Sequence, residues 1–468
     1  MMTFDFLLKG SWRVGNAREE FTSTDVAASI RILSDELSGI IRQQEIDENS
    51  LFVFLIRNNL EGMRSYFIAS RLKLRALLLN VGDVGLLSSV INPEHIAALV
   101  RQSRTKMRVE GESIQIQLEG IPVTQNDLHV DSTPDLITNI STARFYFMTS
   151  GTTSTPKLVQ YSESVLIENA AAVVRYLGLD QRDKTLCFFP VQYMYGLSSM
   201  LCAFLSNSSI MFESFQCSLV PDLIEQHNIT MLPLIGDFMI PLSKMMSGKS
   251  CRVKLIINAS DRLLTGQALA ILPYCESLWN NFGQTESGPR ILCLHIKSED
   301  DIARYSRYGV VAPGFPMTSE IRIELRPADT ESVGNEMFYQ SPYAADGYVN
   351  RNFILTQKSI WQRSGDLFDV DNDGCYYWLA RSVNEFKFKG RFVPVQLISD
   401  QIMRETGIRH YFSRSESGTI NVNVEKSAGE EILKTIHRLL AENWHHYSCT
   451  LNPVSAFPLT PSGKIKLV

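Results

Sequence analysis

The chain has 468 residues, of which 44% are hydrophobic and 20% charged, a length that allows two or more domains around sizeable cores. Its 45 basic and 50 acidic side chains leave a formal net charge of −5, which excludes an electrostatic grip on nucleic acid or anionic lipid as its main task. No apolar run reaches the roughly 18 residues of a spanning helix, and MMTFDFLLKGSWR lacks the charge-then-apolar order of a signal peptide, so no membrane span and a cytoplasmic location are expected.

In chain order, LFVFLI (51–56) is a short apolar run, and NNLEGMRSYFIASRLK after it carries helical spacing. RFYFM (144–148) and KLVQYS (157–162) read as strands, with Ser162 as the N-cap of the helix that follows. SIMFESF then VPDLIEQHN, and VKLIINAS then TGQALAILPYC, repeat the strand–helix alternation. That pattern predicts an α/β fold, with largely parallel or mixed sheets flanked by helices in a large domain over residues 1–380. After Arg381 the composition changes. A basic cluster, strand-like VPVQLI, helix-like ISDQIMRET, strand-like INVNVEK and helix-like GEEILKTIHRLLAENW predict a small α+β domain over 381–468, with the linker near 380–383.

Eight scattered cysteines with no CxxC pair, and eight dispersed histidines, indicate neither a zinc site nor a disulfide framework. The cysteines read as reduced and mostly buried. His445 and His446 are adjacent and would face different directions on a helix, so they do not read as a chelating pair.

Between the strands at 144–148 and 157–162 lies TSGTTSTPK (149–157), with six hydroxyls, one glycine, one proline and a terminal lysine. It is no Walker loop: the GxxxxGK[ST] spacing, the second glycine and the immediate helix are all missing. Two readings remain open from the loop alone. Its hydroxyls and backbone N–H groups can cradle phosphate oxygens while Lys157 adds a point charge, or the segment is a solvated turn.

TSGTTSTPK resembles the phosphate-binding signature of the acyl-adenylate-forming superfamily, which includes acyl- and aryl-CoA ligases, nonribosomal peptide synthetase adenylation domains and firefly luciferase. Ser154 stands where the usual form has glycine. Four further matches follow in the family's order: NNFGQTE (280–286), RSGDL (363–367), DGCYYWLAR (373–381) and PLTPSGKIK (458–466). The first 140 residues fit only in general pattern.

The resemblance implies ATP-dependent conversion of a carboxylic acid to acyl-AMP with loss of pyrophosphate, then transfer to coenzyme A or to the phosphopantetheine of an acyl or peptidyl carrier protein. Thr149, Ser150, Gly151, Thr152, Thr153 and Lys157 would hold the phosphates. Thr285 would bond the α-phosphate, and Glu286 would hold Mg²⁺. Asn280, Phe282 and Gly283 would meet the adenine, Phe282 by stacking; Asp366 would accept the ribose hydroxyls, with Arg381 beside them. Lys464 would bridge the attacking carboxylate and the α-phosphate.

The small domain is expected to reorient between the half-reactions. In ARSVNEFKFKG, however, Ala380 replaces the family's glycine and Val383 stands at the hinge. Val is stiff at χ1 and apolar, so the swing would be altered or its pivot displaced. Lys387 and Gly390 keep the pattern, and Lys387, Lys389 and Arg391 are either a phosphate contact or a solvated strand face.

For the acid, Tyr193 falls where CoA ligases often carry histidine, and Tyr195, Gly196, Asp237 and Ala259 complete a candidate pocket. The segment has neither an acidic partner for a substrate ammonium nor the asparagine of 2-hydroxybenzoate enzymes, so an apolar or aromatic acid is expected; Asp237 reads first as a surface or cap residue. A stand-alone enzyme acting in trans is expected. The competing readings are an acyl-AMP donor to an amine and a nucleotide-binding scaffold without catalysis.

Overall fold

The computed structural model describes residues 10–47, 49–103, 115–119, 142–149, 157–307, 309–327, 334–381, 386–388, 391–393, 395–414, 420–443, 449–455 and 457. Ser150, Gly151, Thr152, Thr153, Ser154, Val383, Lys389, Gly390, His445, His446 and Lys464 lie outside them.

The expected α/β architecture is present. Leu51–Ile56 (β1), Arg75–Asn80 (β2) and Arg144–Met148 (β3) pair in parallel, and Leu158–Ser162 (β4) returns antiparallel to β3, within an eight-stranded sheet. Every residue of β1 is buried, as a parallel strand covered on both faces requires; that is why LFVFLI has no polar alternation. Helix Asn59–Arg71 (α1) follows β1, its N-cap Asn58 accepting from the Glu61 N–H. Ser162 occupies the N-cap position of Glu163–Leu177 (α2), but its side chain makes no capping bond.

A nine-stranded sheet contains Lys184–Cys187 (β5), Ser209–Phe212 (β6), Met231–Leu234 (β7), Val253–Asn258 (β8), Cys275–Gln284 (β9) and Gly288–Ile296 (β10). Here β6, β5, β7, β8 and β9 run parallel in that spatial order, and β10 closes antiparallel on β9. Met194–Leu205 (α3) covers one face and Gly236–Met246 (α4) follows β7. Gly347–Val349 (β11) adds to the first sheet beside β4. Gln362–Val370 (β12) and Tyr376–Arg381 (β13) pair antiparallel in a separate four-stranded sheet.

In the C-terminal part, Ile420–Glu425 lies between an antiparallel His410–Arg414 and a parallel Cys449–Val454. Ile398 and Ile402 of one helix and Ile436, Leu439 and Leu440 of another form a core with Ile420, Val422 and Val424 of that sheet. One expectation is corrected here. VPVQLI is not a strand beyond Val393: residues from Val395 are helical through Thr406, because Ile398 and Ile402, four apart, face one core and belong to a helical period.

All eight cysteines are free, five of them buried. Among the described residues no helix is long and apolar enough to cross a membrane.

Candidate active site

In open α/β sheets, ligands bind beyond the carboxyl ends of the parallel strands, where loops meet oriented backbone groups. Four such ends lie side by side. β5 leads to Tyr193 and Tyr195, β7 to Gly236 and Asp237, β8 to Ala259, and β9 to Thr285 and Glu286. Residues far apart in sequence thus share one edge. The Ala259 N–H donates to Leu234 O, clasping the ends of β7 and β8. The Tyr195 hydroxyl lies 2.8 Å from Ile257 O and 3.3 Å from Leu234 O on the same strands.

The second sheet meets this edge through the mouth of the hydroxyl-rich loop. Thr149 N–H donates to Lys157 O at 2.9 Å, and Lys157 N–H to Thr149 Oγ1 at 3.3 Å, so the two ends of the loop close on each other. The Lys157 ammonium lies 4.9 Å from the centre of the Tyr348 ring, and the Tyr348 hydroxyl donates to Glu286 Oε1 at 2.8 Å. Burial first and then the Glu286 carboxylate push the Tyr348 phenol well up, so it remains a donor at neutral pH. The backbone of 285–286 is stapled to the first sheet as well. Tyr161 Oη donates to Thr285 O at 2.6 Å, and Ala345 N–H to Glu286 O at 3.0 Å.

Asp366 comes to the same place from the third sheet. It is buried; Gln284 Nε2, one residue before Thr285, donates to its Oδ2, and Trp378 Nε1 donates to its Oδ1 at 2.9 Å. Arg381 is the register partner of Asp366 across β12 and β13. A chain of contacts therefore runs from Lys157 through Tyr348 to Glu286, and from the same turn through Gln284 to Asp366.

Two glycines are required by close approach. A Cβ on Gly283 would lie 2.5 Å from Pro289 O, across the turn that carries Thr285 and Glu286; on Gly196 it would lie 2.3 Å from Pro190 O.

Phe282 is half-buried, edge-on to Phe368 at 5.1 Å. Tyr193 is half-exposed at the start of α3, while Tyr195 and Ala259 are buried. Asp237 is exposed in the first turn of α4. Asn280 is buried: both amide hydrogens are committed, to Val311 O at 3.1 Å and Ala312 O at 2.9 Å, and its oxygen accepts from Asn258 at 2.9 Å, so it fastens strands together and keeps only the second lone pair of that oxygen for a nucleobase amine.

Sequence reasoning missed Tyr348, Gln284 and Trp378. The last two stand inside recognised stretches, and a carboxylate expected to be buried calls for such donors. Tyr348 carries no local signal. Among the described residues no group of three or more His, Cys, Asp or Glu side chains could hold a metal ion.

The family described as AMP-binding enzyme matches residues 73–349. The 4-coumarate–CoA ligase 1 of Oryza sativa subsp. japonica is 25% identical over 346 residues, covering 68% of this chain and 60% of the ligase. The chain thus spans about 60% of the length of that curated relative. Among solved structures, o-succinylbenzoate CoA synthetase from Bacillus subtilis, in complex with an acyl-adenylate intermediate, superposes with a TM-score of 0.75 at 16% identity, covering 97% of this chain and 94% of that one. The amide bond synthetase from Marinactinospora thermotolerans gives 0.74 at 16% identity, covering 99% and 97%. These superpositions establish a shared fold.

Proposed function

This chain belongs to the AMP-binding enzyme family, and from that premise we propose that it is an AMP-forming acid–thiol ligase. A carboxylate attacks the α-phosphorus of ATP, pyrophosphate leaves, and the acyl-AMP is then attacked by the thiol of coenzyme A or of a carrier protein's phosphopantetheine, releasing AMP. The observation that carries this reading is the meeting of Lys157, Glu286 and Asp366 through Tyr348 and Gln284 at one edge of the sheets.

The difficulty of the first step is charge. An anionic acid must approach an anionic phosphate, so fixed cations and N–H groups aimed at the developing charge do most of the work. Lys157, with Thr149 to Thr153, is assigned to the β- and γ-phosphates, and Thr285 to the α-phosphate. A single half-buried carboxylate suits Mg²⁺, which takes its remaining ligands from phosphate oxygens and water, and Glu286 would hold it. Bound there, Mg²⁺ would offset phosphate charge.

Asp366, buried with each carboxylate oxygen accepting from one donor, Gln284 or Trp378, is assigned to the ribose hydroxyls, Phe282 and Gly283 to the adenine, and Lys464 to the bridging role in adenylation. Residues 381–468 are taken as the domain that reorients around Val383, and the cytoplasm as the location. The acid enters beside Tyr193, Tyr195, Gly196 and Ala259.

Carboxylate-dependent exchange of labelled pyrophosphate into ATP, over a panel of acids, tests the activity. Exchange with at least one acid is expected. ATP binding without exchange for any acid would instead favour a silent scaffold. Offering coenzyme A, holo-carrier proteins and amines to enzyme loaded with acyl-AMP identifies the acceptor.

A further inference from the structure

Four residues beyond Glu286, near the start of β10, stands Arg290. It is 1% exposed. Its Nη1 donates to Ser198 Oγ at 3.0 Å and lies 3.9 Å from Cys202 Sγ; Nε is buried without a hydrogen-bond partner, and Cζ lies 5.7 Å from the centre of the Tyr195 ring. A guanidinium has five N–H donors, always carries its charge, and is costly to bury without a counter-ion. Among the described residues none supplies one. The charge-bearing groups around it are Tyr176, Tyr195, Cys202 and Cys293, all held neutral because burial pushes the phenols and thiols up, Cys293 to about 11.

The place of this charge matters. Its neighbours Tyr195 and Ser198 are in the first turns of α3, and Tyr195 reaches the carboxyl ends of β7 and β8. Arg290 therefore lies at the buried base of the edge assigned above to the acid. Its Nε side is the one that a carboxylate can take with two parallel bonds.

We propose that Arg290 is the subsite for a second anionic group on the substrate, so that the acid activated is a dicarboxylic or otherwise dianionic one: one carboxylate reacts at the Glu286 end while the other pairs with the guanidinium. The inference rests on the acid-activating reading for the first carboxylate only. It accounts for a residue that the apolar-acid expectation leaves unexplained, since a purely apolar acid would leave the buried charge unneutralised.

The test compares matched acids, such as cinnamic with 4-carboxycinnamic and hexanoic with adipic, in two measurements on the full chain. One is calorimetric binding in the presence of a non-hydrolysable ATP analogue, and the other is pyrophosphate exchange. The wild type is expected to favour the dianionic member of a pair by roughly 10²-fold or more, a preference that Arg290→Met abolishes and Arg290→Lys retains in part. Without ligand, Arg290→Met should melt at or above the wild-type temperature, because it removes an unpaired buried charge; a merely structural arginine would lower it. Wild-type preference for monoanionic acids, or equal loss of both classes in the variants, overturns the proposal, and the wild-type comparison decides it even if Arg290→Met does not fold. Arg290-dependent binding of dianionic acids without exchange would leave the subsite standing and sink the ligase reading. Exchange with monoanionic acids alone would do the reverse.

Discussion

The hydroxyl of Tyr348, on a strand of three residues, orients the carboxylate of Glu286 and leaves its ring to the Lys157 ammonium. A hydrogen bond to a charged group contributes about 1.5–3 kcal/mol, so Tyr348→Phe, which keeps the ring, should lower pyrophosphate exchange by roughly tenfold or more while ATP affinity changes little. At Asp366 two donors converge on one buried carboxylate. Asp366→Asn places an amide N–H₂ against the Gln284 or Trp378 donor and leaves one of them unsatisfied, at a cost of about 1–3 kcal/mol. We expect a lower melting temperature together with at least a tenfold loss of ATP affinity in equilibrium titration. A change in only one of the two would separate a structural role from ribose recognition.

At the scale of elements, the turn between β9 and β10 is set by Gly283, where a methyl group would strike the Pro289 carbonyl. Gly283→Ala should displace Thr285 and Glu286 and lower exchange by about 10²-fold, since misplacement by an ångström costs that much, with a smaller loss in thermal stability. The first turn of α2 carries a different strain. Glu163 is buried there, its Oε1 without a hydrogen bond, and burial pushes its carboxyl up to about 7 against the pull of Ser70 and Tyr66. The folded chain then holds a proton that the unfolded chain releases near 4.5, so stability is greatest below that pH, declines as pH rises towards about 7, and is flat above. The loss amounts to about 3 kcal/mol. Glu163→Gln should flatten this decline, and its melting temperature should exceed that of the wild type more at pH 8 than at pH 5.

For the molecule as a whole, the proposed chemistry joins segments some three hundred residues apart, and Lys464 is the reach of that proposal. Lys464→Ala is expected to slow exchange by roughly 10²- to 10³-fold, while transfer of a preformed acyl-AMP to the thiol keeps its rate. Equal loss in both half-reactions, measured separately by exchange and by single-turnover thiol acylation, would instead make the lysine a structural contact.

The alternation of short apolar strands with helices, and the hydroxyl-rich turn between two strands, were legible in the residues because they are local: strand burial and helical period repeat within ten positions. Apolar, β-branched and helical signals overlapped at VPVQLI, where only the core formed with Ile420 and Val422 selected the helix. The motif residues Thr285, Glu286 and Asp366 could be named from the chain, since their chemistry depends on type and neighbours. What they touch could not. That Asn280 spends its amide on Val311 and Ala312, that Tyr348 and Gln284 tie three sheets together, and that Arg290 is buried without a carboxylate partner among the described residues are products of strand register and sheet packing between distant segments. The sequence alone determined which groups are present and which chemistry they favour; the tertiary structure decided which of them meet and which charge is left unpaired, because hydrogen bonding and desolvation depend on distances that the order of residues does not contain.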